Sequence, residues 1–249
     1  MSENFYADGR PVLVRLRDVT REYHISARIN AAALRGVSLD IFVGEFISIT
    51  GASGSGKTTL LNLIGLLDNS DGGEIWINGH EASTFTEEEK VNFRLKFIGI
   101  VFQFFNLIET YSALGNITFQ LRLQGYVPRV AKEKAEHILE FVGLKERANY
   151  FPKELSGGEQ QRVAIGRALA KDSLLIIADE PTAHLDTQNA QRVMDLLRDI
   201  NKHFGKTVVL VTHERGYAEQ ADRVVVLQDG KVLDLVKSVQ NSATFPAKL

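Results

Sequence analysis

The chain has no cysteine, which removes disulfides, zinc fingers and thiol chemistry from consideration and suits a reducing cytoplasm. No apolar run approaches the ~18 residues that a bilayer-spanning helix requires, so the chain is not expected to enter a membrane by itself. The opening Met1-Ser2-Glu3-Asn4 lacks the basic and apolar regions of a secretory leader, and none is expected. Neither sign of charge dominates. Lys and Arg number 29 against 31 Asp and Glu, and the net charge of -2 gives no electrostatic reason to expect nucleic acid as a partner. Heptads, internal repeats and low-complexity tracts are also missing, which excludes a long coiled coil. What is present is 249 residues with 44% hydrophobic content, enough to bury one large core, or one core and a smaller subdomain.

Against that background the run Gly51-Ala52-Ser53-Gly54-Ser55-Gly56-Lys57-Thr58 stands out. Phe46 to Thr50 reads as a short buried strand and Thr58 to Leu67 as a helix rich in Leu and Ile, so the glycines fall at a strand-to-helix turn. Backbone N–H groups and a helix N-terminus can wrap phosphates there. Lys57 would set a positive charge against the β- and γ-phosphates, Thr58 would offer a hydroxyl to Mg²⁺, and Thr59 could hydrogen-bond the α-phosphate. The pattern predicts a grip on a nucleoside triphosphate.

A second nucleotide element is Leu174-Leu175-Ile176-Ile177-Ala178-Asp179-Glu180. The continuous apolar run fits a strand covered on both faces, and two carboxylates at its C-terminal end emerge where ligands bind in such sheets. Asp179 is placed to hold Mg²⁺, through water. Glu180 points differently and can orient or deprotonate an attacking water, a role worth roughly 10²- to 10⁴-fold in rate. By themselves the two acids could equally be solvated strand-end groups. Between these elements lies Leu155-Ser156-Gly157-Gly158-Glu159-Gln160-Gln161-Arg162. Ser156 and Glu159 have the spacing of a capping box, yet glycine is about 1 kcal/mol less favourable than alanine within a helix, so Gly157 and Gly158 suggest that something approaches the backbone closely. A phosphate at a helix N-terminus fits, and both roles can hold at once.

Along the chain, Leu13 to Val19, Val37 to Phe42 and Glu74 to Asn78 read as strands of an early β-rich portion, with turns at Asp71-Gly72-Gly73 and Asn78-Gly79. Phe97 to Phe102 reads as a further buried strand. From about Phe104 to Leu155 the period becomes helical: Ala131, Ala135, Ile138, Leu139 and Val142 share one face, and Gly143 stands where a helix ends. Strands and helices then alternate, with a strand ending at Ala178, a helix from about Thr187 to Phe204, and strands at Thr207 to Thr212 and Arg223 to Leu227. That order predicts an α/β fold, a parallel sheet wrapped by helices. Ser238 to Leu249 has no period and is expected to be a loose tail.

Gly51 to Thr58, Leu155 to Arg162, Asp179-Glu180-Pro181-Thr182, Asp186 and His213, in this order and spacing, closely resemble the nucleotide-binding subunit of ATP-binding cassette (ABC) transporters. The resemblance covers about residues 12 to 235. It implies a P-loop NTPase fold of the ABC type, with a mixed sheet core, an antiparallel β subdomain and an inserted α-helical subdomain. It also implies a division into an N-terminal extension over 1–11, a RecA-like core with its β subdomain over 12–103 and 157–235, a helical subdomain over 104–156, and a tail over 236–249. ATP and Mg²⁺ are the implied cofactors. Tyr23 matches the aromatic residue that stacks on adenine, although stacking itself is tolerant of base. Gln103, at a strand end, matches the glutamine that touches Mg²⁺ and the attacking water. His213 matches the histidine that contacts the γ-phosphate. Asp186 matches a dimer-contacting aspartate and can also N-cap the helix whose apolar face is Val193, Leu196, Leu197, Ile200 and Phe204. In the family, Ser156, Gly157, Gly158 and Glu159 complete the site of the other protomer, which implies a head-to-tail dimer around two ATP molecules.

Phe97 to Leu107 and the charged segment Glu87 to Lys96 look like the lipoprotein-release, macrolide-export and cell-division group of ABC ATPases. This implies a separate permease or force-transmitting membrane subunit, docking near Phe104, Phe105, Leu107 and Tyr111, and a place on the cytoplasmic face of the inner or plasma membrane. An alternative within the group is a cell-division ATPase that regulates a cell-wall hydrolase through a membrane partner. A soluble ABC ATPase acting on DNA or ribosomes is a third class, but the long coiled coil or second cassette usual there is missing. The chain departs from the family pattern at His184, where relatives often carry asparagine, at Gly166, where alanine is common, and over about His24 to Ala33, which lengthens the stretch behind Tyr23.

Overall fold

The computed structural model describes residues 5–26 and 29–237. The first part of the chain forms β1 (Phe5–Ala7), β2 (Arg10–Ser26), β3 (Ile29–Phe42), β4 (Phe46–Thr50), α1 (Lys57–Ile64), β5 (Gly72–Ile77) and β6 (His80–Glu81). Next come α2 (Glu87–Phe97), β7 (Ile98–Val101), α3 (Ala113–Leu123), α4 (Pro128–Phe141) and α5 (Gly157–Leu169). The chain continues with β8 (Leu175–Asp179), α6 (Thr187–Phe204), β9 (Thr207–Val211), α7 (Arg215–Ala218), β10 (Arg223–Gln228) and β11 (Lys231–Lys237).

Two sheets result. One is antiparallel and centred on β2, which pairs with β1, β3 and β5, while β6 extends it beyond β5. The other runs β11-β10-β4-β9-β8-β7; its five inner and lower strands are parallel and β11 closes the edge antiparallel to β10. The apolar runs of the central strands follow from burial on both faces. Side chains alternate across a strand, so Ile47, Ile49, Leu175, Ile177, Val209 and Val211 enter a core shared with α1 and the antiparallel sheet. Phe46, Ile176, Ala178, Val208 and Leu210 enter a second core built with α3, α4, α5 and α6. The carboxyl ends of β4, β7, β8 and β9 therefore open between two packed layers.

Several elements fall where their periodicity predicts, with instructive differences at the edges. Ala131, Ala135, Leu139 and Val142 are buried on one face of α4, and Gly143 follows with φ 72°. On α6, Val193, Leu196, Leu197 and Ile200 are buried, but Phe204 is 48% exposed and meets Phe141 edge to face. Phe97 belongs to the end of α2 rather than to β7. The charged segment Glu87 to Lys96 is itself that helix: Thr86 and Glu89 form a capping box, three glutamates occupy the first turn, and Arg94 and Lys96 the last. The lengthened stretch behind Tyr23 is a hairpin extension, with Tyr23 opposite Ala31 and Ser26 opposite Ile29. In the N-terminal extension, Phe5–Ala7 forms β1, and Arg10 and Pro11 begin β2. The tail from Ser238 lies outside the described residues.

Candidate active site

The phosphate-loop sequence leaves β4 and enters α1 as expected. Two of its glycines are demanded by the chain around them. A Cβ at Gly51 would stand 2.1 Å from the Leu227 carbonyl oxygen, and one at Gly56, where φ is 102°, would stand 2.4 Å from that of Ala33. Gly230 donates to the Ser55 carbonyl and accepts from Arg35, so the β3 strand and the β10–β11 turn brace the loop from outside. Lys57 is buried to 7% exposure, and its ammonium donates to the Gly51 and Ala52 carbonyls, each at 2.9 Å. No acidic residue lies in the first turn of α1, so its positive end is left for an anion.

The loop forms one wall of a cleft of about 480 Å³ lined by Tyr23, Ala33, Ser53, Gly54, Gly56, Lys57, Thr58, Thr59, Glu180 and His213. Tyr23 is set by residues far off in sequence. Its hydroxyl donates to Asp68 at 2.7 Å, and the Arg21 guanidinium, itself paired with Asp68, lies 4.8 Å from the ring centre. Burial pushes Asp68 up, but the Tyr23 hydroxyl, the Asn69 N–H and Arg21 together carry it below the usual carboxylate range. Nothing in the spacing of the sequence signals this support.

Opposite the loop, Glu180 follows β8 with φ 43°, a left-handed conformation uncommon for a side chain of this size. Its carboxylate accepts from His213 Nδ1 at 2.7 Å. Asp179, the last residue of β8, is pushed up first by burial and then by the charge of Glu180, with Lys57 acting in the opposite sense. Its Oδ1 is buried without a hydrogen-bond partner. Such an orphaned carboxylate oxygen is costly unless a cation or water meets it, and it fits a divalent metal. Among the described residues no group of three or more His, Cys, Asp or Glu side chains is arranged to hold a metal. A cation here would count Asp179 and the Thr58 hydroxyl among its ligands, together with nucleotide oxygens and water.

Ser156, Gly157, Gly158, Glu159 and Asp186 lie outside this cleft, at the adjoining N-termini of α5 and α6. Ser156 caps α5: its N–H donates to Glu159 at 2.8 Å and its hydroxyl accepts from the Glu159 N–H at 3.3 Å. Burial pushes Glu159 up, but the two Ser156 hydrogen bonds and Arg147 hold it below the usual range. Asp186 caps α6 by accepting from the Asn189 N–H at 2.9 Å. The pair of glycines divides. A Cβ at Gly158 would lie 2.6 Å from the Asn189 side chain, so packing within the chain accounts for that glycine. At Gly157 the nearest atoms, on Leu185 and Phe105, are an ordinary 3.5 Å away, and packing within the chain does not require a glycine.

Gln103 also stands apart from the cleft lining, with its amide against His184 at 3.2 Å. The aromatic residues after it do not form one cluster. Phe104 is 69% exposed and stacks on His184, Leu107 packs against the second core, Tyr111 contacts Phe119, and Phe105 lies beside Gly157.

A glycine-rich loop with a buried lysine at the N-terminus of a helix, set opposite two carboxylates and a histidine at strand ends, has the arrangement of a nucleoside-triphosphate hydrolase cassette. The ABC transporter family profile matches residues 34–183, more than half of the chain. The chain belongs to the ABC transporter family, as one of its ATP-binding, ATP-hydrolysing subunits. It is 46% identical over 85% of its length to an uncharacterised ABC transporter ATP-binding protein, Rv0986, of Mycobacterium tuberculosis, 85% of which is covered. It is 41% identical over 89% of its length to the lipoprotein-releasing system ATP-binding protein LolD of Bacteroides fragilis, all of which is covered. With the macrolide export ATP-binding/permease protein MacB of Chlorobaculum tepidum the identity is 44% over 89% of this chain, which spans only 34% of MacB. Among solved structures, the dimeric post-hydrolysis state of the ATP-binding cassette MJ0796 bound to ADP and phosphate superposes with a TM-score of 0.85. It shares 39% identity and covers 92% of this chain and 100% of that one.

Proposed function

We propose that two copies of this chain close head to tail around two Mg-ATP and drive a separate integral membrane subunit from the cytoplasmic face of the inner or plasma membrane, in export, lipoprotein extraction or force transmission. The observation that carries the proposal is the match to the whole of LolD by a chain whose described residues contain no helix long and apolar enough to cross a membrane. A stroke produced here has to be delivered to another protein.

In this reading Tyr23 stacks on the base and the loop from Gly51 to Thr59 wraps the phosphates. Lys57 exchanges its two neutral carbonyl acceptors for charged phosphate oxygens, which bind about twice as strongly. Thr58, Asp179 and Gln103 would hold Mg²⁺, which supplies charge neutralisation at the β- and γ-phosphates. Glu180 takes the proton of the attacking water, and His213, which donates from Nδ1 to Glu180, stands beside the γ-phosphate. Ser156, Gly157 and Asp186 serve the partner's nucleotide; the glycine at 157 then has a reason that its own chain does not give it. Of the docking residues, Phe104 and Tyr111 are the exposed pair.

The test is affinity capture from detergent-solubilised membranes with Glu180→Gln in ATP and Mg²⁺. That variant is expected to bind ATP, lose roughly 10²-fold or more of turnover and accumulate the closed dimer. Capture of a few-span membrane protein with a large external domain supports force transmission, and capture of a many-span permease supports conduit transport. A cell-wall hydrolase in the complex points to the cell-division alternative. Recovery of ribosomal or DNA proteins alone overturns the proposal.

A further inference from the structure

Gln103 lies two residues beyond β7, and its amide nitrogen is 3.2 Å from His184 Nε2 in the loop that leads to α6. An amide nitrogen donates and cannot accept, so the ring nitrogen must be the acceptor. In this contact the ring nitrogen accepts from the amide nitrogen, which leaves Gln103 Oε1 uncommitted. The same ring is held from a second direction. Phe104, the next residue, stacks on it with centroids 5.0 Å apart and planes at 29°. Two successive residues of one loop thus grip a single histidine of another.

The loop after Phe104 is braced as well. Phe105 and Asn106 adopt φ of 58° and 49°, a left-handed pair without glycine, and their carbonyls both accept from Arg167 of α5. Leu185, beside His184, shares the contact at Gly157 with Phe105. His184 accordingly sits where the loop after β7, the loop before α6 and the start of α5 meet. A glutamine amide with no fixed partner flips between two orientations of nearly equal energy, and only one of them presents oxygen in a given direction.

We propose that His184 is a positioning residue for ATP hydrolysis: it accepts from the Gln103 amide nitrogen, with Phe104 fixing the ring, and so reserves Gln103 Oε1 for the cation and water at the cleft. This rests on the reading that Gln103 serves hydrolysis. His184 is not among the residues that line the cleft and acts through Gln103.

The test separates acceptor from ring. His184→Phe keeps the stack on Phe104 and removes the acceptor, whereas His184→Gln returns an acceptor oxygen at the ε position without the ring. In His184→Phe kcat is expected to fall about tenfold or more, the usual scale for losing a group that orients a metal-site ligand. KM for ATP should move by less than about twofold, and His184→Gln should recover most of kcat. Melting temperatures close to wild type would show that folding is not what changed. A readout independent of activity is the nitrogen–nitrogen coupling across the hydrogen bond between Gln103 Nε2 and His184 Nε2, measured by NMR in the isotopically labelled, nucleotide-free chain. Its presence supports the proposal. A proton found on His184 Nε2, or a kcat for His184→Phe equal to wild type, overturns it. A wild-type chain without any ATPase activity would count against the proposed function instead, and the coupling would still decide the contact.

Discussion

Lys171 follows α5 and donates to the carbonyls of Arg94 and Ile98 at 3.3 and 3.0 Å. These are carbonyls at and just beyond the end of α2, where a cation complements the helix dipole. Burial, then the charges of Arg167 and Arg94, nevertheless push its pKa from 10.5 down to about 8. Below about 8 both folded and unfolded chains carry the proton, and the full cost of the buried charge is present. Between about 8 and 10.5 the unfolded chain binds more protons than the folded one, so stability rises with pH across that window. Urea denaturation of wild type and Lys171→Met, compared at each pH, is expected to shift in the wild type's favour as pH climbs through it. A difference that stays flat would mean that Lys171 carries its charge without penalty. At this scale legibility divides by distance. Lys57, Asp179 and Glu180 stand out as candidates in the sequence because each lies in a contiguous motif. Asp68, which holds Tyr23 from 45 residues away, does not, because no local pattern encodes a tertiary hydrogen bond.

Among the elements, the N-termini of α5 and α6 show how one motif answers to two constraints. Gly158 packs against Asn189, whose amide also donates to the Asp186 carboxylate at 2.6 Å. A methyl group at 158 has to displace that side chain and disturb the cap of α6. Gly158→Ala is therefore expected to destabilise the chain by about 1–3 kcal/mol of overpacking, offset by up to about 1 kcal/mol of helix propensity. Gly157→Ala meets only ordinary contacts and should leave the melting temperature within a degree or two, on the order of 0.5 kcal/mol, while impairing ATP-driven dimerisation. Thermal melts set beside gel filtration of both variants in the Glu180→Gln background check the two outcomes. Loss of dimerisation without loss of stability at 158, or the reverse at 157, would show that the roles have been exchanged. The same scale explains which elements were readable. The central strands announced themselves because burial on both faces demands continuous apolar runs, and α4 because one face is buried. Helix α2 buries little beyond Phe93 and the stem of Lys90, so it has almost no apolar period; its Thr86 to Glu89 capping box was the one available signal.

At the scale of the whole molecule, the candidate nucleotide-binding residues fall in two places. The cleft holds the phosphate loop, Glu180 and His213, whereas Ser156, Gly157 and Asp186 lie at the neighbouring helix ends. If two chains complete each other's sites, defects in the two places must complement. A Lys57→Ala dimer carries two sites without the lysine, and a Ser156→Arg dimer carries two sites blocked at the α5 terminus. Both are expected to hydrolyse ATP at roughly a hundredth of the wild-type rate or less, given the scale of single electrostatic contacts in such sites. In a mixed dimer one site collects both defects. The other receives an intact phosphate loop from one chain and an intact Ser156 segment from its partner. Mixing the two inactive variants should therefore restore ATPase activity, to a fraction set by the share of mixed dimers, and the restored rate should fall on dilution as dimers separate. If each chain hydrolysed ATP alone, mixing would restore nothing, and the rate per chain of the wild type would be independent of concentration. Steady-state ATPase measurements on the two variants, separately and mixed across a dilution series, distinguish a shared site from a self-sufficient one.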